Sequence, residues 1–471
     1  MKKTKIICTM GPACDSEETL EKMIKAGMNV ARFNFSHGDH ADHKRRMDTV
    51  KRVRERLGAP IAILLDTKGP EYRIGTFEKG KVNLCDGDEF VFTVEDCVGD
   101  ENHVSVSYKN LPQELSVGDP ILLNNGLLEF KVLETTKKEI KTQVIIGGEL
   151  SDRKSMSFPG KTLKQDYLSE KDKEDILFGI ENDVDFIACS FVSVKEDILA
   201  IREFLKENGG EQIDLIAKIE NRSGVDNIED IIDVSDGIMV ARGDMGVEIP
   251  FEQLPAIQKH MITVCRYRGK RVITATEMLE SMITKPRPTR AEISDVANAV
   301  YDGTSAVMLS GETAAGMYPV EAVRAMAKIT EQTEKDIDYA HRFRTAEFKI
   351  ANEIDAISHA TCDLAIDLDA KLIIACSLSG RTARMVSRFR SPTPIIGLTT
   401  DIRAWRKLSL SWAVLPVMSE EFQSTDVLFY HAARVAKESG MAGKGDVIVI
   451  TGGQTNGRSG NTTLIKYDVL K

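Results

Sequence analysis

Residues 237–277 read GIMVARGDMGVEIPFEQLPAIQKHMITVCRYRGKRVITATE, and they contain the pattern that decides the fold. An apolar run, 237–241, ends on Arg242, Gly243 and Asp244. A helical pattern follows over 253–267, and a second apolar run, 272–275, ends on Thr276 and Glu277. Short continuous apolar runs separated by helices are strands of a parallel sheet covered on both faces. Outward from this stretch the unit recurs, with apolar runs at 6–10, 31–35, 61–65, 186–189, 215–219 and 306–309. Helical patterns lie at 16–26, 195–208 and 289–299. Ser16, followed by Thr19 and Leu20, and Thr289, followed by Glu292, read as their caps. A doubly wound sheet shows the same alternation with fewer units. Eight units predict a (β/α)8 TIM barrel.

The alternation breaks between about 71 and 160, where β-rich segments (90–94, 104–108, 121–123, 130–133, 140–146) are punctuated by turns such as Asn124-Asn125-Gly126. This predicts a small inserted β-barrel domain after the third strand, over the barrel mouth and able to close on it as a lid. Beyond a charged stretch near Lys335, strands at 372–375, 395–398, 413–416, 447–450 and 463–467 predict a C-terminal α/β domain. The expected division is 1–70 with 161–345 for the barrel, 71–160 for the insert and 346–471 for the last domain.

At 471 residues, with 42% hydrophobic residues and a mean hydropathy of -0.19, the chain reads as a soluble protein of roughly three domains. No run of about 20 apolar residues could span a bilayer. The basic start is followed by too short an apolar run for a signal peptide, so a cytoplasmic protein is expected. The eight cysteines show no CxxC pair and no zinc-ligand spacing, as expected of reduced structural thiols. A net charge of -10 without a basic tail argues against nucleic acid or membrane as partner.

Catalytic groups of such barrels sit at the C-terminal strand ends. Here strand two ends on Arg32, Asn34 and Ser36, and strand three on Asp66, Thr67, Lys68, Glu71 and Arg73. Strand five ends on Lys218 and Glu220, six on Arg242 and Asp244, seven on Thr276 and Glu277, and eight on Ser310 and Glu312. Residues two apart face the same way, so Lys218 aligns with Glu220. Glu220 and Asp244 suit a hard divalent cation such as Mg2+. Arg32, Arg73 and Lys218 supply positive charge for an anionic substrate, the composition that phosphoryl transfer needs. Any one of these side chains alone could be a rim salt bridge, and His37 reads more readily as a rim hydrogen-bonder than as a base. There is no Walker P-loop or Rossmann glycine fingerprint.

Residues 34–38 (NFSHG), 65–71 (LDTKGPE), 218–221 (KIEN), 239–244 (MVARGD) and 285–292 (KPRPTRAE) resemble pyruvate kinase motifs, in that family's order and across essentially the whole chain. The resemblance implies transfer of a phosphoryl group from phosphoenolpyruvate to ADP. It implies that Glu220 and Asp244 hold Mg2+, with Mn2+ as a substitute, and that Lys218 stabilises charge on the phosphoryl group and the enolate. Arg32 would contact the phosphoryl group and Thr276 would lie near the enolate carbon. The backbone from Ala241 to Asp244, Gly243 included, would hold the substrate carboxylate. Arg73, His37 and Lys154 would face the nucleotide. Asn34, Ser36, Asp66 and Thr67 would hold K+, and Glu71 goes with K+ dependence in that family. Asn124-Asn125 stands where the family commonly carries two aspartates.

In the last domain, Ser377, Ser379, Gly380, Arg381 and Thr382 follow a strand and open a helix, a natural phosphate site. With Arg458 in the Gly-rich loop 452–460 they resemble the family's effector site, for a phosphorylated metabolite such as fructose 1,6-bisphosphate, another sugar phosphate or AMP. A homotetramer is implied. Two other readings stay open on the residues alone: a Mg2+-dependent barrel lyase acting on pyruvate enolate, and a catalytically idle metabolite sensor.

Overall fold

A computed structural model describes residues 2–161, 163–420, 424–453 and 462–471. Eight parallel strands close into a barrel: Lys5–Thr9, Val30–Asn34, Ala62–Asp66, Phe186–Cys189, Asp214–Ile219, Gly237–Ala241, Arg271–Ala275 and Ala306–Leu309. Each pairs with its sequence neighbour, and the eighth closes on the first through Lys5 opposite Ala306. Strand pleat divides their side chains into two cores. Ala31, Phe33, Leu215, Ala217 and Ile219 point outward and pack under the helices. Ile7, Val30, Leu64, Phe186, Ile216, Met239, Ile273 and Met308 fill the interior as a solid plug.

The helices begin where the sequence supplies caps. The Ser16 hydroxyl accepts the Thr19 N–H at the start of Glu17–Ala26. Thr289 and Glu292 form a reciprocal capping box at the start of Arg290–Asp302.

Between the third and fourth barrel strands lies a seven-stranded, mostly antiparallel sheet, spanning Tyr72–Arg73 to Ser155–Ser157, with a two-stranded ribbon beside it. A bridge between Ile74 and Val106 ties its two edge strands together, so the sheet curls almost into a barrel around Phe90, Phe92 and Phe130. Its turn at Asn124, Asn125 and Gly126 runs through three consecutive left-handed residues (φ 52°, 57° and 78°), which asparagine and glycine tolerate.

The C-terminal five-stranded sheet is parallel except for its edge strand Thr462–Val469. This unit seals the N-terminal mouth of the barrel. Leu410 joins the interior plug from below. The Lys5 ammonium donates to the Val414 carbonyl at 2.7 Å, Lys407 pairs with Asp214 at 2.7 Å, and Arg406 pairs with Asp185 at 2.6 Å. The opposite mouth is left for chemistry.

Candidate active site

The inward alternation that builds the plug continues upward, and at the top it turns polar. Above Val30 comes Arg32, above Leu64 comes Asp66, above Ala188 comes Ser190, and above Ile216 come Lys218 and Glu220. The result is a buried layer of charged groups on an apolar floor. The Arg32 guanidinium donates from Nε to Asp66 Oδ2 at 2.6 Å and from Nη1 to the Thr9 hydroxyl at 2.8 Å. The Lys218 ammonium sits 3.0 Å from Asp66 Oδ1, 3.0 Å from Glu220 Oε1 and 2.6 Å from Ser190 Oγ. Buried charges persist only when paired this closely.

The charge states follow. Burial works against the Lys218 ammonium, but Asp66 and Glu220 outweigh it and hold its pKa above the usual lysine range. Burial likewise opposes the Asp66 carboxylate, yet Arg32 and Lys218 keep it below its ordinary value. Glu220 is different. Burial pushes its acidity down, Lys218 only partly opposes this, and the neighbouring Asp244 charge adds to it, so its pKa rises to about 7. Glu220 and Asp244 line the same cleft, Asp244 being exposed. Two neighbouring carboxylates, one buried and one exposed at the mouth of a cleft, form a hard oxygen donor set that fits a divalent cation.

The four oxygens expected to hold K+ lie on adjoining strands. Asn34 stands opposite Asp66 in register, and the Phe35 N–H donates to the Asp66 carbonyl at 3.0 Å. The Asn34 amide oxygen accepts the Ser36 N–H at 3.1 Å. Asp66 and Thr67 are buried and Ser36 is exposed. The set is uncharged apart from one carboxylate and all-oxygen, which fits a large monovalent cation. Glu71 pairs with Lys68 at 3.3 Å and with Arg73.

At the end of strand seven, Thr276 and Glu277 both adopt left-handed backbone conformations (φ 72° and 55°). For a β-branched residue this is an outlier, and such strain concentrates at functional positions. Arg242 holds it in place, donating to the Thr276 carbonyl from Nη2 at 2.6 Å and from Nε at 3.2 Å, while Asp295 fixes Arg242 at 2.7 Å. Gly243 abuts this corner so closely that a Cβ there would meet Thr276 Cγ2 at 2.7 Å.

A cleft of about 570 Å3 opens between the barrel rim and the inserted sheet. His37 and Arg73 line it together with Glu220, Asp244 and the aromatic rings of Tyr72 and Phe158. Lys154 lies beside Ser155, which lines the cleft, and its carbonyl accepts the Ile74 N–H at 3.0 Å. The turn that carries Asn125 reaches the cleft, and a Cβ at Gly126 would lie 3.4 Å from Val247 of the barrel.

Two residues of this site, Ser190 and Phe191, lie outside the rim set that the sequence points to, and a third, Arg242, belongs to that set without an expected role. Ser190 ties Lys218 to the Thr67 carbonyl, donating to it at 2.7 Å. Phe191, left-handed at φ 57°, gives its N–H to Glu220 Oε2 at 2.7 Å. Extending the alternation of strand four by one residue would have found Ser190. The left-handed turn at Phe191 has no sequence signal.

Far from the cleft, Ser377 and Thr382 face one another across the start of the helix Arg381–Ser387. The Thr382 N–H donates to Ser377 Oγ at 3.3 Å, and the Thr382 hydroxyl lies 2.7 Å from that of Thr462. Gly380 precedes the helix at φ 75°, with Ser379 before it and the exposed Arg381 after it. Arg458 lies outside the described residues.

With this geometry in hand, comparisons with known proteins are specific. The family model "Pyruvate kinase, barrel domain" matches residues 1–323, and "Pyruvate kinase, alpha/beta domain" matches 355–466. A pyruvate kinase of Clostridium acetobutylicum is 47% identical over the full length of both chains. One of Staphylococcus aureus strain MRSA252 is 48% identical over all of this chain and 81% of its own. The crystal structure of a pyruvate kinase from Cryptosporidium parvum superposes with a TM-score of 0.95 at 38% identity, over 100% of this chain and 96% of that one.

Proposed function

The chain belongs to the pyruvate kinase family, and from that membership we propose how its rim residues transfer a phosphoryl group from phosphoenolpyruvate to ADP. The observation that carries the assignment of roles is the Lys218 ammonium, held between Asp66 and Glu220 on the floor of the cleft. It is a fixed positive charge, preorganised where negative charge develops, and such groups supply the largest share of catalysis in phosphoryl transfer.

Arg32 binds the phosphoryl group, and the backbone at Gly243 and Asp244 binds the substrate carboxylate. An ADP oxygen forms the new bond to phosphorus as the bond to the enol oxygen breaks, leaving its electron pair on that oxygen beside Lys218. The enolate carbon then takes a proton, relayed through water near the Thr276 hydroxyl, and becomes pyruvate. Glu220 and Asp244 would hold Mg2+ or Mn2+, which when bound neutralises charge on the substrate's carboxylate and phosphoryl oxygens. Asn34, Ser36, Asp66 and Thr67 would hold K+. His37, Arg73 and Lys154 would face the nucleotide in the cleft, over which the insert 71–160 acts as lid. The barrel, as 1–70 with 161–345, carries the chemistry, and 346–471 carries regulation.

For that last unit we assign Ser377, Ser379, Gly380, Arg381 and Thr382, with Arg458, to a phosphorylated effector in a cytoplasmic homotetramer. Among the described residues no helix is long and apolar enough to cross a membrane. The deciding experiment follows pyruvate formation from phosphoenolpyruvate and ADP while Mg2+ and K+ are omitted in turn. Each omission is expected to abolish or sharply lower turnover. Full activity without K+ or Na+ would overturn the K+ assignment. Turnover of phosphoenolpyruvate without ADP would favour a lyase. Saturation curves that no sugar phosphate or nucleotide shifts would overturn the effector assignment.

A further inference from the structure

Where the C-terminal unit seals the barrel floor, a small recess is lined by Lys270, Arg271, Arg384, Arg388 and Arg390, together with Ser411 and other neutral groups. It is lined by five cations and no carboxylate. Two of the five are compensated from behind, Arg271 by Asp214 at 2.8 Å and Arg388 by Asp355 at 3.2 Å. Among the described residues, Lys270, Arg384 and Arg390 have no carboxylate in ion-pair contact. Lys270 donates to the Asp233 and Ser235 carbonyls. Arg390 donates to the carbonyls of Ser387 and Gly303 and to the Ser305 hydroxyl.

The donors are also incompletely used. The Nε atoms of Arg271, Arg384, Arg388 and Arg390, and the Ser411 hydroxyl, are buried without a hydrogen-bond partner. Arg271 and Arg388 are each 5% exposed and Arg390 6%. Orphaned buried donors are costly, and uncompensated buried charge more so. Consistent with this excess of positive potential, burial and then the nearby Arg266 charge pull Arg390 down to about 9. Arg384 in turn lowers both Arg271 and Lys270.

We infer that this space is a binding site for a single monoatomic anion of the halide class, with chloride as the physiological occupant. Its room is small, about 10 Å3 for the centre of a water-sized particle, which favours a single compact ion over a phosphorylated metabolite. A water there would accept from two donors at most and leave the charge excess in place. A halide accepts from every direction and removes one unit of the excess. Its ligands come from both the barrel (Lys270 and Arg271) and the C-terminal unit (Arg384, Arg388 and Arg390), so the bound ion joins the two.

The test compares thermal unfolding of the full-length protein in potassium chloride and in potassium gluconate, at equal K+ and ionic strength. Chloride is expected to raise the apparent melting temperature saturably, by about 2 °C. In Arg384→Gln that increment should vanish. Among the described residues the Arg384 side chain makes no hydrogen bond or ion pair, so this variant removes its charge without breaking a polar contact. Independently, crystals grown with bromide should show an anomalous peak in contact with Arg384 or Arg390. Equal melting temperatures in the two salts, a chloride increment that persists in Arg384→Gln, or bromide crystals without a peak in this space would each overturn the assignment.

Discussion

Replacing Lys218 with methionine keeps an unbranched stem of similar reach and removes only the ammonium. Asp66 loses one partner at 3.0 Å but keeps the Arg32 guanidinium at 2.6 Å. Glu220 is left with the Phe191 N–H at 2.7 Å. Glu220 already titrates at about 7 with Lys218 beside it, and without Lys218 it moves higher. Holding it proton-bound at pH 7, relative to a freely ionising unfolded carboxyl, corresponds to about 3 kcal/mol, most of which the unmodified protein already carries. The further loss at that site is therefore under about 1 kcal/mol at pH 7, a drop of a few degrees in the apparent melting temperature. The sign with pH follows from the raised folded pKa. In the unmodified protein this penalty accrues from about 4.5 to about 7 and then levels off. In Lys218→Met it keeps growing, by about 1.4 kcal/mol per pH unit. Thermal unfolding in metal-free buffer at pH 6, 7 and 8.5 should show a gap between the two proteins that widens with pH. Turnover measured by pyruvate release should fall by about 10^3-fold or more, because a fixed charge at the reacting oxygen is lost. A kcat within tenfold of normal, or a gap that narrows with pH, would refute the reasoning.

Ser190→Ala removes the hydroxyl that links Lys218 to the Thr67 carbonyl; kcat should fall about tenfold with little change in KM for phosphoenolpyruvate, measured in steady state. Gly243→Ala places a Cβ 2.7 Å from Thr276 Cγ2; activity should drop at least tenfold while the melting temperature stays within about 2 °C, since the residue lies at the rim and not in the core. Asp214→Asn strips the carboxylate from Arg271 and Lys407 and should lower stability by about 3 kcal/mol at neutral pH, read by chemical denaturation. Burial works against that carboxylate, but Arg271 and Lys407 hold it at about 2, so its contribution should persist down to about pH 4 and fade as pH falls toward 2.

The barrel was legible because a strand buried on both faces leaves a continuous apolar run. All eight runs fall within a residue of the observed strands, as at 237–241, which is Gly237–Ala241. The inserted sheet was legible in strands with an apolar run, such as Leu128–Thr135 and Pro120–Leu123, and not at Lys81–Leu84, where polar residues break the run (KVNL). At the rim, pleat parity predicted that Lys218 and Glu220 share a face, and it puts Arg32 and Asp66 in the same inward layer. What parity could not supply was the left-handed backbone at Phe191 and Thr276. That conformation is imposed by tertiary contacts such as those of Arg242, against local preference. The cationic space beneath the barrel was equally hidden, since its arginines come from strand seven and from residues more than a hundred positions later.

The seal at the barrel floor also constrains the order of events during synthesis. Lys5 leaves the ribosome 409 residues before Val414, yet its ammonium finds its acceptor in the Val414 carbonyl, and the Lys3 carbonyl receives the Ala413 N–H. Until Leu410 has emerged, the nascent barrel exposes cations and the lower face of its apolar plug, which Leu410 later covers. The finished barrel is thus a product of the whole chain. A nascent chain stalled before residue 346 would hold a site with every rim residue in place on a scaffold open at its base, a natural client for chaperones during the seconds before the last sheet arrives.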